Sequence, residues 1–257
     1  RIRALSCPTA LLNHYKEVIM SKRVVVVCGV SGRGKSTSLI NMDNTLHLIC
    51  EEGKDLPFSL KGKKFFKSAP VTTPQQVLDT ITWAEDKTDY TTIVIDGLNY
   101  LMDMYESQFV FGSADSRSEW GGYAQFFKDL VHAIAVSSKD FILCAHVAYK
   151  YNEQDMVMDA RIPVKGALAK AGLEASFTTI LGAERVKLED LEKYPNALLN
   201  ITDEEREDGF KYVLQTRALQ NTVNSNIKAP KGIFTRGEAY IDSDMSLVMR
   251  RLHDYYA

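Results

Sequence analysis

A mostly parallel α/β fold, its central sheet flanked by helices, is predicted by three features of the chain. Short apolar runs at Val24–Cys28, Thr45–Cys50, Thr91–Asp96 and Phe141–His146 read as buried strands. Segments with helical spacing alternate with them, as at Val77, Leu78, Ile81 and Ala84. Two of the runs end in polar residues, Asp96 and His146, on what should be one sheet edge. Open α/β sheets bind ligands at the carboxyl edge of their strands.

The composition supports one such domain. A chain of 257 residues with 45% hydrophobic content can bury a single good core. No internal repeat or Pro/Gly-rich linker divides residues 20–257. The net charge of −2 gives no global attraction to nucleic acid, so any such partner must meet local patches. No apolar run is long enough to span a bilayer, and no signal-peptide pattern opens the chain; a cytoplasmic location is expected. Cys7, Cys28, Cys50 and Cys144 are widely spaced without a C-x-x-C pair. The last three fall in predicted strands and read as small buried hydrophobes, so structural zinc is not expected.

Residues 1–19 fit the pattern poorly. Met20-Ser-Lys-Arg looks like a natural start, and Lys16-Glu17-Val18 can be encoded by a purine-rich ribosome-binding sequence. The segment reads either as a translated leader or as an amphipathic N-terminal arm.

The first strand runs into Gly29-Val30-Ser31-Gly32-Arg33-Gly34-Lys35-Ser36-Thr37. The spacing fits G-x-x-x-x-G-K-[ST], the phosphate-binding P-loop. Its glycines permit conformations closed to larger residues, successive N–H groups face a polyphosphate, and Lys35 neutralises its β and γ oxygens. Ser36 is placed to hold Mg²⁺, with Thr37 behind it, and Lys-Ser-Thr is expected to open a helix.

The second strand, Thr45–Cys50, ends at Glu51-Glu52-Gly53. The basic stretch Lys61–Lys67 reads as a solvated face or a nucleic-acid contact. Pro74 starts a helix. The strand ending in Asp96 has the Walker B arrangement, which puts a carboxylate beside Mg²⁺ and its waters. A loop near Phe111–Ser118 and a helix over Glu119–Val136 follow, then the strand ending in His146. Residues 148–165 read as polar and irregular. A helix near Gly166–Ala175, a strand at Phe177–Leu181, an acidic surface excursion over Glu184–Glu207, a strand at Phe210–Thr216 and a final helix over Asp244–Tyr255 complete the chain.

Most AAA+ ATPases and packaging motors carry Glu directly after the Walker B Asp; here Gly97 stands there, so that arrangement is absent. RecA-type ATPases use a glutamate at the end of the strand after the P-loop helix, where Glu51 and Glu52 stand. Either could position the attacking water; both could equally be exposed turn residues.

The order of motifs after Met20 resembles the phage-encoded RecA-core ATPases of single-strand DNA annealing and recombination. The pieces that carry the resemblance are residues 29–37, Glu52–Phe58, Ile93–Met102, His146, Val164–Leu168, and Gln215-Thr216 leading to Lys228–Phe234. The resemblance implies a RecA-like P-loop NTPase core with an antiparallel C-terminal extension, using ATP and Mg²⁺ on single-stranded DNA. It implies that Lys35, Glu51 or Glu52, Asp96 and His146 serve catalysis, His146 as γ-phosphate sensor. It further implies DNA-facing loops at Gln108–Glu119 and Ala148–Lys165. Tyr149 and Tyr151 would then stack on bases, and Lys150, Arg161 and Lys165 would meet phosphates. A homo-oligomer is implied, with Lys228 and Lys231 as candidates to enter a neighbour's ATP site, and a single-strand-binding protein or other replication factor is a further possible partner. Where filament relatives carry lysines, this chain has Asn224 and Asn226, so filament and ring both stay open. Two other readings stand beside this one: a small-molecule or nucleotide kinase with Arg161 in a lid, and a nucleotide-switched loader.

Overall fold

Hydrophobic strands of five or six residues, most of them buried on both faces, build the centre of the molecule. The computed structural model describes residues 23–63, 65–153, 156–219 and 224–257; the segment 1–19 and Lys64 lie outside them. The main sheet holds β1 (Val24–Cys28), β2 (Thr45–Ile49), β3 (Phe66–Pro70), β4 (Thr92–Asp96), β5 (Asp140–Ala145), β8 (Thr179–Lys187), β9 (Phe210–Gln215) and β11 (Tyr240–Asp242). Their order is β11-β9-β8-β1-β5-β4-β2-β3. Every pairing from β8 to β3 is parallel, and β9 and β11 join antiparallel. The fold is therefore the expected mostly parallel α/β P-loop architecture with an antiparallel C-terminal end.

One face of the sheet is covered by α1 (Gln75–Ala84), α2 (Leu98–Tyr105) and α3 (Ser116–Val136), which bury Val77, Leu101 and Leu130 against Ile93, Phe141 and Ile180. The other is covered by Leu39 and α7 (Met245–Tyr256), whose Val248 and Leu252 meet Val25, Val27 and Ile142. Asp244 caps α7 by accepting from the Ser246 N–H.

Five local expectations are corrected. The helix after the P-loop is a single 3₁₀ turn, Thr37–Leu39. Asn41, Asp43 and Asn44 follow it, residues whose side chains compete for backbone groups, and Asn44 turns to φ +51°. Within the Lys61–Lys67 stretch, Phe66 buries and opens β3, which pairs with β2 as an edge strand. Within residues 148–165, expected to be irregular, β6 (Ala148–Asn152) and β7 (Val157–Arg161) form an antiparallel pair that, with β10 (Asn224–Ser225), makes a small second sheet. The acidic excursion starts late, because β8 runs on to Lys187; beyond it lie short helices α5 (Leu188–Leu191) and α6 (Asp203–Asp208). Between β7 and β8 the expected helix shrinks to α4 (Leu168–Ala171) and a 3₁₀ turn.

Candidate nucleotide site

β1 delivers the P-loop to the carboxyl edge of the sheet. Gly29 lies so close to β8 that a Cβ would meet the Ala183 carbonyl oxygen at 2.5 Å, and Gly32 and Gly34 take φ of +75° and +83°. Lys35 is buried, and its ammonium donates to the carbonyls of Gly29 (2.9 Å) and Val30 (3.0 Å). Burial lowers its pKa from the usual lysine value. Ser38 Oγ donates to the Lys35 carbonyl at 2.6 Å, which fixes the turn beneath it.

Two strands away, β4 ends in Asp96. Burial raises its carboxyl, but the hydrogen bond and charge of His47, the Ser36 hydroxyl and Lys35 outweigh that and hold it below the ordinary carboxylate range. Ser36 and Asp96 thus face the same cavity. Such hard oxygen donors suit Mg²⁺, which needs only one or two protein ligands and keeps waters and phosphate oxygens for the rest. Among the described residues no cluster of three or more His, Cys, Asp or Glu forms a metal cage.

Gly97 has φ +103°, and a Cβ there would approach Tyr100 Cδ2 to 3.2 Å. A glutamate directly after Asp96 is therefore strained as well as absent. The end of the adjacent strand places a carboxylate at the same edge. The Cys50 N–H donates to the Asp96 carbonyl at 2.9 Å, locking the end of β2 beside the end of β4. Glu51 follows directly and is ion-paired with Lys54; burial, and after it the Glu51 charge, raises the pKa of the Tyr100 hydroxyl.

A cavity of about 300 Å³ is lined by Ser31, Gly34, Lys35, Ser36 and Thr37 together with Glu51, Asp96 and His146. Gly32, Lys54, Asp55 and Pro57 complete its wall. Glu52 is exposed and lines none of it. His146 Nδ1 lies 3.5 Å from Lys35 Nζ, and its ring meets Tyr100 edge-on. Burial and the Lys35 charge lower its pKa, which favours the neutral ring. Its backbone N–H donates to Asn99 Oδ1 at 2.6 Å, while Asn99 Nδ2 donates to the Pro163 carbonyl. Sequence reasoning passed over Asn99 and His47; their signal was a polar residue inside an apolar run, which periodicity alone does not interpret.

Arg33 lies away from this cavity, where its charge reaches Glu184 and Tyr149. On the hairpin, Tyr149 and Tyr151 are 42% and 50% exposed. Lys150, Tyr151 and Arg161 line an open groove of about 810 Å³. Lys165 is not there; it is ion-paired with buried Glu106. The expected loop at Gln108–Glu119 is shorter, because a π-turn takes Glu106–Val110 and α3 begins at Ser116. Lys228 and Lys231 are both exposed, and Lys228 Nζ donates to the Glu174 carbonyl at 2.9 Å.

This phosphate cradle on a mostly parallel sheet defines a P-loop NTPase. A sequence-family model described as an AAA domain matches residues 21–223, and the chain belongs to that family. Membership indicates nucleotide binding and hydrolysis. No curated protein matches the chain. Among the described residues no helix is long and apolar enough to cross a membrane.

Proposed function

We propose that the protein is an ATP- and Mg²⁺-dependent RecA-like ATPase acting on single-stranded DNA in phage recombination or replication. The observation that carries the hydrolytic part is the convergence of Lys35, Ser36, Glu51, Asp96 and His146 on one cavity. Lys35 would leave its two carbonyl acceptors for the β/γ-phosphate oxygens, a stronger, charge-assisted contact. Ser36 and Asp96 would hold Mg²⁺, which supplies charge neutralisation of the phosphates. Glu51, on the cavity wall where Glu52 is not, orients and deprotonates water.

The DNA part rests on the hairpin that follows His146. Its exposed tyrosines offer stacking faces, and Lys150 and Arg161 offer charge along an open groove. Nucleotide state would reach this hairpin through His146 and through the Asn99 bridge to Pro163. Of the two candidates for reaching a neighbour's site, exposed Lys231 is favoured, since the Lys228 ammonium is engaged by the Glu174 carbonyl within its own chain.

The test is ATP hydrolysis with and without single-stranded DNA across salt concentrations. Stimulation that fades with salt supports the reading. Phosphoryl transfer to a small acceptor with no response to DNA would replace it with a kinase.

A further inference from the structure

His47 sits in the middle of β2, with Ser68 on β3 and Val94 on β4 as its register partners. It is 1% exposed. One ring nitrogen, Nε2, lies 3.1 Å from Asp96 Oδ2, and the other, Nδ1, lies 2.9 Å from Ser68 Oγ. The Phe66 ring packs 6.0 Å from its centroid at 43°. A carboxylate only accepts, so Nε2 donates to Asp96 and the Ser68 hydroxyl takes up Nδ1. Both nitrogens are satisfied inside the protein, and the ring is held from three sides.

A buried histidine with satisfied hydrogen bonds can be merely structural. What sets this one apart is its acceptor, the carboxylate that lines the phosphate cavity together with Ser36. We infer that His47, oriented by Ser68, is a positioning residue that fixes the Asp96 carboxylate against Ser36 and so sets the affinity of the site for Mg²⁺. The inference rests on the reading of Ser36 and Asp96 as the Mg²⁺ side of the site. It is the outer-shell pattern that orients metal-side ligands elsewhere, where loss of the supporting group costs about 10–100-fold in metal affinity. Ser68 lies on an edge strand, so this support depends on the β2–β3 pairing rather than on the P-loop itself.

The experiment pairs His47→Phe, which removes the donor, with His47→Gln, whose amide can still donate toward Asp96, and with the milder Ser68→Ala. The midpoint for Mg²⁺ is measured from binding of a fluorescent ATP analogue titrated with the metal, alongside binding in EDTA. His47→Phe is expected to raise the Mg²⁺ midpoint at least about tenfold with EDTA binding retained. His47→Gln should recover most of that loss, and Ser68→Ala should fall between. Nitrogen NMR of the wild-type imidazole, without nucleotide, checks the hydrogen bond directly and does not depend on any variant folding; a protonated Nε2 is expected. A bare Nε2, or an unchanged Mg²⁺ midpoint in folded His47→Phe, overturns the inference. If the wild-type protein binds no nucleotide, the site reading fails instead, and the metal role of His47 fails with it.

Discussion

Replacing Glu51 by Gln keeps the size of the side chain and removes its basicity. The end of β2 is locked to β4 by the Cys50–Asp96 backbone bond, so the substitution should leave the cavity wall in place. The lost Lys54 ion pair is a partly exposed i,i+3 contact and is worth little to stability. The loss of a positioned base typically costs 10²–10⁴ in rate, and the lower end of that range is about 2.7 kcal/mol of barrier. Single-turnover hydrolysis with saturating ATP should therefore slow at least about a hundredfold, while binding of a fluorescent ATP analogue stays within about twofold because the P-loop contacts are untouched. Glu52→Gln, at an exposed residue outside the cavity, should hydrolyse at the wild-type rate. Wild-type turnover in Glu51→Gln, or an equal fall in Glu52→Gln, would refute the placement of the catalytic carboxylate at the end of β2.

Lys35→Ala should lose at least about a hundredfold in ATP hydrolysis, the scale of removing one charge-stabilising donor; near-native circular dichroism with retained turnover would contradict the P-loop role. Tyr149→Ala with Tyr151→Ala should weaken ATP-dependent single-strand binding at least about tenfold by fluorescence anisotropy. Because both rings are about half exposed, the melting temperature should hold, and Lys150→Ala should flatten the salt dependence. Unchanged affinity in the folded double variant would move the DNA site to the Lys61–Lys67 stretch. Burial raises the Glu184 carboxyl above its usual range, against the opposing charges of Arg33 and Lys35. A carboxyl raised in the folded state binds its proton more tightly there, so it favours folding when acidic and loses that contribution as pH climbs through the raised value. Glu184→Gln should accordingly melt higher than the wild type at pH 8, with the gap closing toward pH 4 in thermal scans; a gap that widens on acidification would reverse the assigned cause.

Residues close in sequence made much of the site legible in advance. The P-loop is read from nine consecutive residues because its chemistry is local: glycines that turn, N–H groups that converge, and a lysine that folds back over the same turn. Asp96 was legible because a buried strand ending in a carboxylate has few places to stand once a P-loop is present. The strands themselves were legible from apolar runs, since central parallel strands are buried on both faces.

What the sequence left open depended on contacts between distant segments. Glu51 and Glu52 are chemically identical neighbours, and only the pairing of β2 with β4 points one into the cavity and the other to solvent. The basic run at Lys61–Lys67 looked solvated, yet Phe66 and Ser68 join β2 and reach His47, a partnership across 21 residues. Lys165 looked available for phosphate until the π-turn after α2 brought buried Glu106 to it from 59 residues away. Periodicity reports which face of an element is apolar. It does not report which strand lies alongside, and in this protein the neighbour decides which carboxylate, which histidine and which lysine face the site.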